Sequence, residues 1–458
     1  MVRFNELNKN LTYFIRTDKS HKVLGKFLVP ILVIAGVSNI NCSALASGFS
    51  ITEQSIKNLG NAASGGAAIA EDASTIFYNP AGLTRLPGNS IEGAGYVIFS
   101  DINFQNQGST TATGSLLSGG DSAEGGTNTF IPNLYGYLSV SEELKLGIGI
   151  TPPFGLATDY GSDWVGRYQA VESTLETINI NPSVAWKFSD RLSVGAGVSF
   201  QYADAKLSNA IDFGLIGQGQ GLPVQSQQLD GFSEISGDDW SMGYNLGLLY
   251  EPTQSTRVGL AYRSGVNHTL EGDADFTVPE GASVLTSTGQ FTDGDAEADL
   301  KLPDSLALSI YQKISDRWAI MGDITWTNWS RFEELRIEFD NPAQADSVEP
   351  ENWEDTFRFG LGVNYLPSDK LTLRTGVAYD PTPVQEEFRT ARIPDSDRIW
   401  LAFGSSYQIS NSFGLDFAYV HIFSADSSIN NSTPAGGNLD GEFESNADIL
   451  SLGLNWKF

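Results

Sequence analysis

The chain has 458 residues, 48 of them glycine, with 11% aromatic residues, one cysteine and a formal charge of −28. Such a length suits either two or three ordinary globular domains or one large barrel. One cysteine rules out a disulfide framework, and so acidic a chain is ill suited to grip nucleic acid through its phosphates.

In chain order, the first predicted element is a leader. Lys19, His21, Lys22 and Lys26 precede the apolar run Phe27 to Val37, and Ser43-Ala44-Leu45-Ala46 follows it. The run is about half the roughly 20 residues that a membrane-spanning helix needs. A basic region, a short apolar region and an A-x-A site together read as a secretory signal peptide. Residues 1–46 are therefore expected to be removed, taking Cys42 with them and leaving Ser47 first. The leader holds six Lys or Arg and two Asp or Glu, so the remainder carries 21 − 53 = −32.

Residues 47–87 form the next unit and show no alternation. Ala62-Ala63-Ser64-Gly65-Gly66-Ala67-Ala68-Ile69-Ala70 is a run of mostly small residues, and Thr75 to Leu83 follows Glu71-Asp72. Short helices broken by glycine and proline are predicted. The composition suits a plug for a wide lumen as well as it suits a disordered tail.

From residue 88 onwards the period is two. Leu144, Leu146, Ile148 and Ile150 alternate with Lys145, Gly147 and Gly149; Leu450, Leu452, Leu454, Trp456 and Phe458 repeat the pattern at the end. Alternation alone fits a soluble sandwich or a membrane barrel. The connections choose between them. Six short polar turns, at 141–143, 189–191, 252–255, 315–317, 367–369 and 410–412, alternate with seven longer connections near 102–128, 155–168, 211–233, 274–293, 341–350, 385–394 and 428–443. Outer-membrane barrels segregate short turns and long loops in this way and have even strand numbers. The predicted fold is thus all-β, a 14-stranded antiparallel transmembrane β-barrel over residues 88–458, with an N-terminal helical hatch in the lumen. Fourteen strands leave a lumen too wide for the wall's own side chains to fill. Pro182 and Pro303 fall inside predicted strands four and eight, where each would leave a gap in the ladder and so implies a bulge or a misplaced strand boundary. Pro152-Pro153-Phe154-Gly155 ends the regular part of strand three.

Several segments carry a family resemblance. Ser47-Gly48-Phe49, Leu59-Gly60-Asn61-Ala62, Gly66 to Ala73 and Asn79-Pro80-Ala81 are joined by Pro132-Asn133, Phe154 to Thr158, Leu175 to Asn181, Trp326 to Phe332, Tyr379 to Val384 and Arg392 to Trp400. Taken in this order the chain resembles the FadL-like long-chain fatty-acid outer-membrane transporters along essentially its whole mature length. The resemblance implies passive uptake of hydrophobic compounds, most simply long-chain fatty acids, that the lipopolysaccharide leaflet excludes. It also implies a monomer in the outer membrane of a Gram-negative bacterium, a hatch that rearranges, and lateral release through a kinked third strand. Hatch and gating residues would be Phe49, Asn79, Pro80 and Ala81, with the lateral opening at Pro152, Pro153, Phe154 and Gly155. A fatty-acid carboxylate would need a cation, for which Lys206, Arg358 and Arg374 are candidates; each could equally pair with lumen carboxylates. After Lys206 the chain lacks the arginine that some fatty-acid transporters carry, so uptake of aromatic hydrocarbons by the same fold is the alternative. A structural barrel without transport is a third reading, against which the plug-like segment argues.

Chemistry is not expected. His268 and His421 are the histidines outside the leader, and neither accompanies a nucleophile motif. No histidine or cysteine cluster, metal site or phosphate-binding loop is present in the sequence, so no cofactor is predicted.

Overall fold

A computed structural model describes residues 48–458. The expected leader and Ser47 lie outside the described residues. The wall runs β1 (Ser90–Asn106), β2 (Ser122–Glu124 and Asn128–Ser139), β3 (Leu144–Thr151 and Gly155–Asp159), β4 (Glu172–Ser189), β5 (Leu192–Asp212), β6 (Asp230–Thr253), β7 (Thr256–Arg263 and Val266–Thr277). It continues with β8 (Gly294–Leu302 and Ser305–Lys313), β9 (Trp318–Thr327 and Glu334–Phe339), β10 (Ser347–Pro350 and Thr356–Ser368), β11 (Leu371–Asp380), β12 (Arg398–Gln408), β13 (Phe413–Ser424 and Ser427–Thr433) and β14 (Gly437–Lys457). Neighbours are antiparallel, and β14 returns to β1 with Lys457 opposite Ser90 and Gly441 opposite Asn106. The sheet is closed, which leaves no long edge in the hydrocarbon.

The apolar face points outward. Leu450, Leu452, Leu454 and Trp456 are 39–61% exposed, whereas Ser451 and Asn455 between them are buried. A soluble core would invert that pattern. Aromatic side chains stack on the outer surface near the short turns, as Trp318 on Tyr365 and Phe413 on Trp456 do, in the manner of an interfacial girdle.

The six short turns fall where alternation places them. The seventh long connection does not. Residues 427–433 pair with 437–443 around a turn at 434–436, so the expected loop at 428–443 is mostly strand. Its outward side chains meet water rather than lipid and are polar, which hides the period. Its inward ones, Ile429, Leu439 and Phe443, are buried against Phe104 and Trp164.

Both prolines interrupt the ladder; at Pro182 the register is kept, whereas across Pro303 the β8–β9 register shifts, from Ala298 opposite Ile337 to Ser305 opposite Thr327. The β4–β5 register passes from Ile180 opposite Phe200 to Ser183 opposite Gly197, so Pro182 sits in a gap and not in a bulge. The carbonyl of Val198, which that register sets opposite Pro182, accepts instead from Asn181 Nδ2 at 2.9 Å. Pro303 marks the break between the two halves of β8.

The hatch occupies the lumen as α1 (Ile56–Leu59), α2 (Gly66–Ile69), α3 (Thr75–Tyr78) and a 3-10 turn over Pro80–Arg85. Ser55 caps α1 by accepting from the Asn58 N–H. Helices this short are not stable alone, and polar bonds to the wall hold them. Asn61 Nδ2 donates to the carbonyls of Val363 and Thr375, Gly65 N–H to Asp323, Ala67 N–H to Ser309, and Lys57 lies 3.6 Å from Asp72 and 3.8 Å from Asp416. Small residues permit the close fit: a Cβ on Gly404 of β12 would lie 2.8 Å from the Cα of Gly60.

Candidate functional site

The hatch starts at the kink in β3. Pro152 and Pro153 offer no N–H, so the ladder stops there. Leu134–Ser139 of β2 register with Lys145–Ile150 and no further, and Gly155–Asp159 register with β4 alone. Hatch backbone stands in for the lost neighbour: Ile51 N–H donates to Pro153 O and Gly155 N–H to Phe49 O, both at 2.9 Å. Gln54 Nε2 donates to Pro152 O at 2.8 Å, and Asn133 Nδ2 reaches across from β2 to Glu53 O at 2.9 Å. Thr177 Oγ1 accepts from the Phe154 N–H and donates to its carbonyl. Phe49 and Pro152–Gly155, far apart in sequence, are therefore one hydrogen-bonded assembly.

The Phe49 ring is buried in an aromatic cage. Trp329 lies 4.9 Å from it, Trp353 5.5 Å, Phe332 5.6 Å and Phe154 6.1 Å between centroids. On the long-loop side of this cage is an apolar pocket of about 90 Å³, walled by Leu156, Leu175, Leu207, Leu270, Leu300, Phe332 and Ile337, with Phe49 at one end. Its one cationic lining residue is Arg392; Thr174, Ser236, Glu297, Asp299 and Glu351 are the polar uncharged or acidic ones. Arg392 Nη1 donates to Ser173 Oγ at 3.1 Å, and its Nε lies 3.5 Å from Glu349 Oε2. Burial, reinforced by Glu349, pushes the Glu351 carboxyl well above the usual carboxylate range, although Trp353 Nε1 donates to it at 2.8 Å. Towards the short turns, Phe154 and Trp329 line a second cavity of about 130 Å³ that also touches Ile51, Pro153, Arg263 and Arg358. The cage thus separates two cavities, and the lower one adjoins the kink.

Asn79-Pro80-Ala81 lies against β5 and β6. Asn79 is buried, donates from Nδ2 to Ala67 O at 2.7 Å and Leu248 O at 3.1 Å, and accepts from the Ala81 N–H. The triad ties α2, the 3-10 turn and the wall together. It faces the lower cavity through Pro80.

The three cations proposed from sequence have different surroundings. Lys206 leaves the lumen altogether. Ala205 and Leu207 line the apolar pocket, so by strand alternation Lys206 points out of the wall, where Glu172 and Glu234 hold it at 3.2 and 3.0 Å. Arg374 binds hatch residue Glu71 at 3.0 Å and Ser406 at 2.6 Å and lines neither cavity. Arg358 does line the lower cavity, donating to Ala62 O and facing Asp323 at 3.8 Å. Arg392, Glu351, Trp329, Phe332 and Trp353 were not singled out from sequence as contact residues. Their signal was a concentration of aromatics in segments that interrupt strands.

His268 bridges Asp239 and Gln201, and His421 bonds Asp448. Neither has a serine nucleophile among its hydrogen-bond partners.

Comparison with known proteins places these features in context. Residues 37–458 match the family of outer membrane protein transport proteins (OMPP1/FadL/TodX). An outer membrane protein of Neisseria meningitidis serogroup B is 33% identical over 458 aligned positions, covering 93% of this chain and 98% of that one. The long-chain fatty acid transport protein of Escherichia coli O6:H1 is 30% identical, covering 84% and 89%. The crystal structure of a Pseudomonas aeruginosa FadL homologue superimposes with a TM-score of 0.84 at 25% identity, over 90% of this chain and all of that one.

Proposed function

Because the chain belongs to the family of outer membrane protein transport proteins (OMPP1/FadL/TodX), we propose that its cargo is a long-chain fatty acid, bound in the apolar pocket with its carboxylate at Arg392 and released sideways at the β3 kink. Membership makes it an outer-membrane transporter of hydrophobic compounds and not an enzyme. The observation that carries the finer reading is the pocket itself: a wall of aliphatic and aromatic side chains with one buried guanidinium at its rim. Glu349, at 3.5 Å, is a loose partner that an incoming carboxylate can replace. Burial raises the Glu351 pKa and so weakens its competition for the guanidinium charge.

Passage beyond the pocket requires the Phe49 ring to leave its cage. The backbone of Phe49 is bonded to Gly155, so withdrawing the ring also loosens the kink. The hatch, residues 47–87, moves there, and Asn79-Pro80-Ala81 is the fixed end about which it moves. Cargo then enters the lower cavity and leaves between β2 and β3. Diffusion down a gradient suffices to drive it.

The test is equilibrium binding and uptake of a long-chain fatty acid and a monocyclic aromatic hydrocarbon by wild type and by Arg392→Gln. Loss of one charge-assisted bond, worth roughly 1.5–3 kcal/mol, should weaken fatty-acid binding at least about tenfold and leave the hydrocarbon untouched. Equal affinities for fatty acid in the two proteins would exclude Arg392 as the carboxylate partner. Uptake of the hydrocarbon alone would assign the other cargo.

A further inference from the structure

The wall has a second break, and it lies on the far side of the apolar pocket from the kink. In their lower halves β8 and β9 are in full register, from Ser305 opposite Thr327 to Lys313 opposite Ala319. Above, only Ala296, Glu297 and Ala298 pair, with Phe339, Glu338 and Ile337. Between these stretches, residues 299–304 face the longer segment 328–336, in which a 3-10 turn over Trp329–Arg331 swings Phe332 inward. One main-chain bond, from Asn328 N–H to Asp304 O, spans the interval.

The splayed strands leave a crevice of about 260 Å³ on the outer side of the wall. Its charged lining includes Asp299, Lys301, Arg331 and Arg336. Glu297, Asp299 and Phe332 border both this crevice and the apolar pocket. What separates the two spaces is therefore side chain, chiefly Phe332 with Leu300 and Leu335 beside it, and not a hydrogen-bonded ladder. A ladder must lose several bonds at once to open; a side chain needs a rotamer change.

We infer that the β8–β9 break is a side port through which a single-chain amphiphile, tail first, reaches the apolar pocket from the outer surface of the barrel. The occupant follows from the chemistry. The opening behind Phe332 is apolar and narrow, so a hydrocarbon chain fits through it, while the charged crevice keeps a hydrated head outside until the tail is seated. Rings connect this port to the kink: Phe332 lies 5.6 Å from Phe49, and Phe49 lies 6.1 Å from Phe154. This inference rests on the pocket being the cargo site.

Asp299→Cys with Arg336→Cys tests it, since these are the next positions in register after Ala298 and Ile337. The full-length protein in nanodiscs is mixed with a long-chain fatty acid carrying a quencher, and loading is followed by quenching of tryptophan fluorescence. Oxidation should slow loading roughly tenfold while leaving final occupancy unchanged, because closing a path alters the association rate, and reduction should restore it. A disulfide-linked protein that loads as fast as the reduced one overturns the side port. If the pair does not oxidise, a bulky polar maleimide on Asp299→Cys blocks the same opening, with the same two outcomes. Absence of quenching at any concentration in the reduced protein would instead sink the cargo reading, so the two failures are distinguishable.

Discussion

Hatch docking in the wild-type protein should weaken as pH rises through the Glu53 titration, and replacing Glu53 by glutamine should abolish that dependence. Glu53 is fully buried, and neither carboxylate oxygen has a hydrogen-bond partner in the structure. Burial pushes its pKa from 4.5 up to about 7, against the pull of Arg358 and Arg398. The sign follows from proton binding. Between 4.5 and 7 the docked hatch holds a proton that a hydrated Glu53 has released, so docking weakens as pH rises through that window and is constant above it. At about 1.4 kcal/mol per unit, the weakening amounts to about 3 kcal/mol. Amide exchange of Ile51–Asn61, corrected for intrinsic rates, measures it: wild type should lose protection between pH 4.5 and 7, while Glu53→Gln stays protected. Parallel profiles in the two proteins would refute the assignment, as would a wild-type hatch indifferent to pH.

Two further outcomes follow from the wall. Gly155→Arg should fold and insert, shown by unchanged resistance to heat and protease, yet lose uptake because a long side chain stands in the β2–β3 gap; undiminished uptake would remove the lateral exit. Asn181→Ala should leave the Val198 carbonyl without its donor and cost about 1–3 kcal/mol, read as a lower unfolding midpoint. An unchanged midpoint would mean that the amide does not replace the N–H missing at Pro182.

The wall was legible because lipid imposes one chemistry on every outward residue. Leu450 to Phe458 alternate so plainly that strand, facing and partner all follow. Pro152-Pro153 likewise pointed to an interrupted ladder, but the same residues could have begun the second long loop, and it is the continuation Gly155–Asp159 on β4 that makes them a kink within a strand. The pattern faded above the membrane. There, Ser427–Thr433 and Ser347–Pro350 pair as strands, but their outward faces meet water, and polar residues on both faces erase the period. The pocket's polar end was hidden for a related reason. Arg392 comes from a connection and Glu351 from a strand break, and only tertiary packing brings them to the rim that Leu175 and Leu300 help to form. Lys206 misled because its strand was recognisable while its face was not: one residue either way would have put it in the lumen.

The outward chemistry at the two wall breaks supports the proposal that they serve opposite ends of one path. A gap in the hydrocarbon layer must have its backbone groups satisfied from within the protein. At β3 the hatch meets this demand, and nearby outward residues such as Phe99, Phe130 and Ile178 are 40–49% exposed and apolar. That gap looks onto lipid, and whatever passes it leaves water behind. At β8 and β9 the outward residues are Glu297, Asp299, Lys301, Glu334 and Arg336. Their charges would be prohibitive in hydrocarbon and place this gap at the aqueous or headgroup level. On the proposed path a solute leaves the charged break for the apolar pocket and then crosses the more polar lower cavity to the kink, with Phe332 and Phe49 each covering one step. On that reading direction needs no coupling device, because carrying an apolar chain from water into lipid is favourable over the whole path.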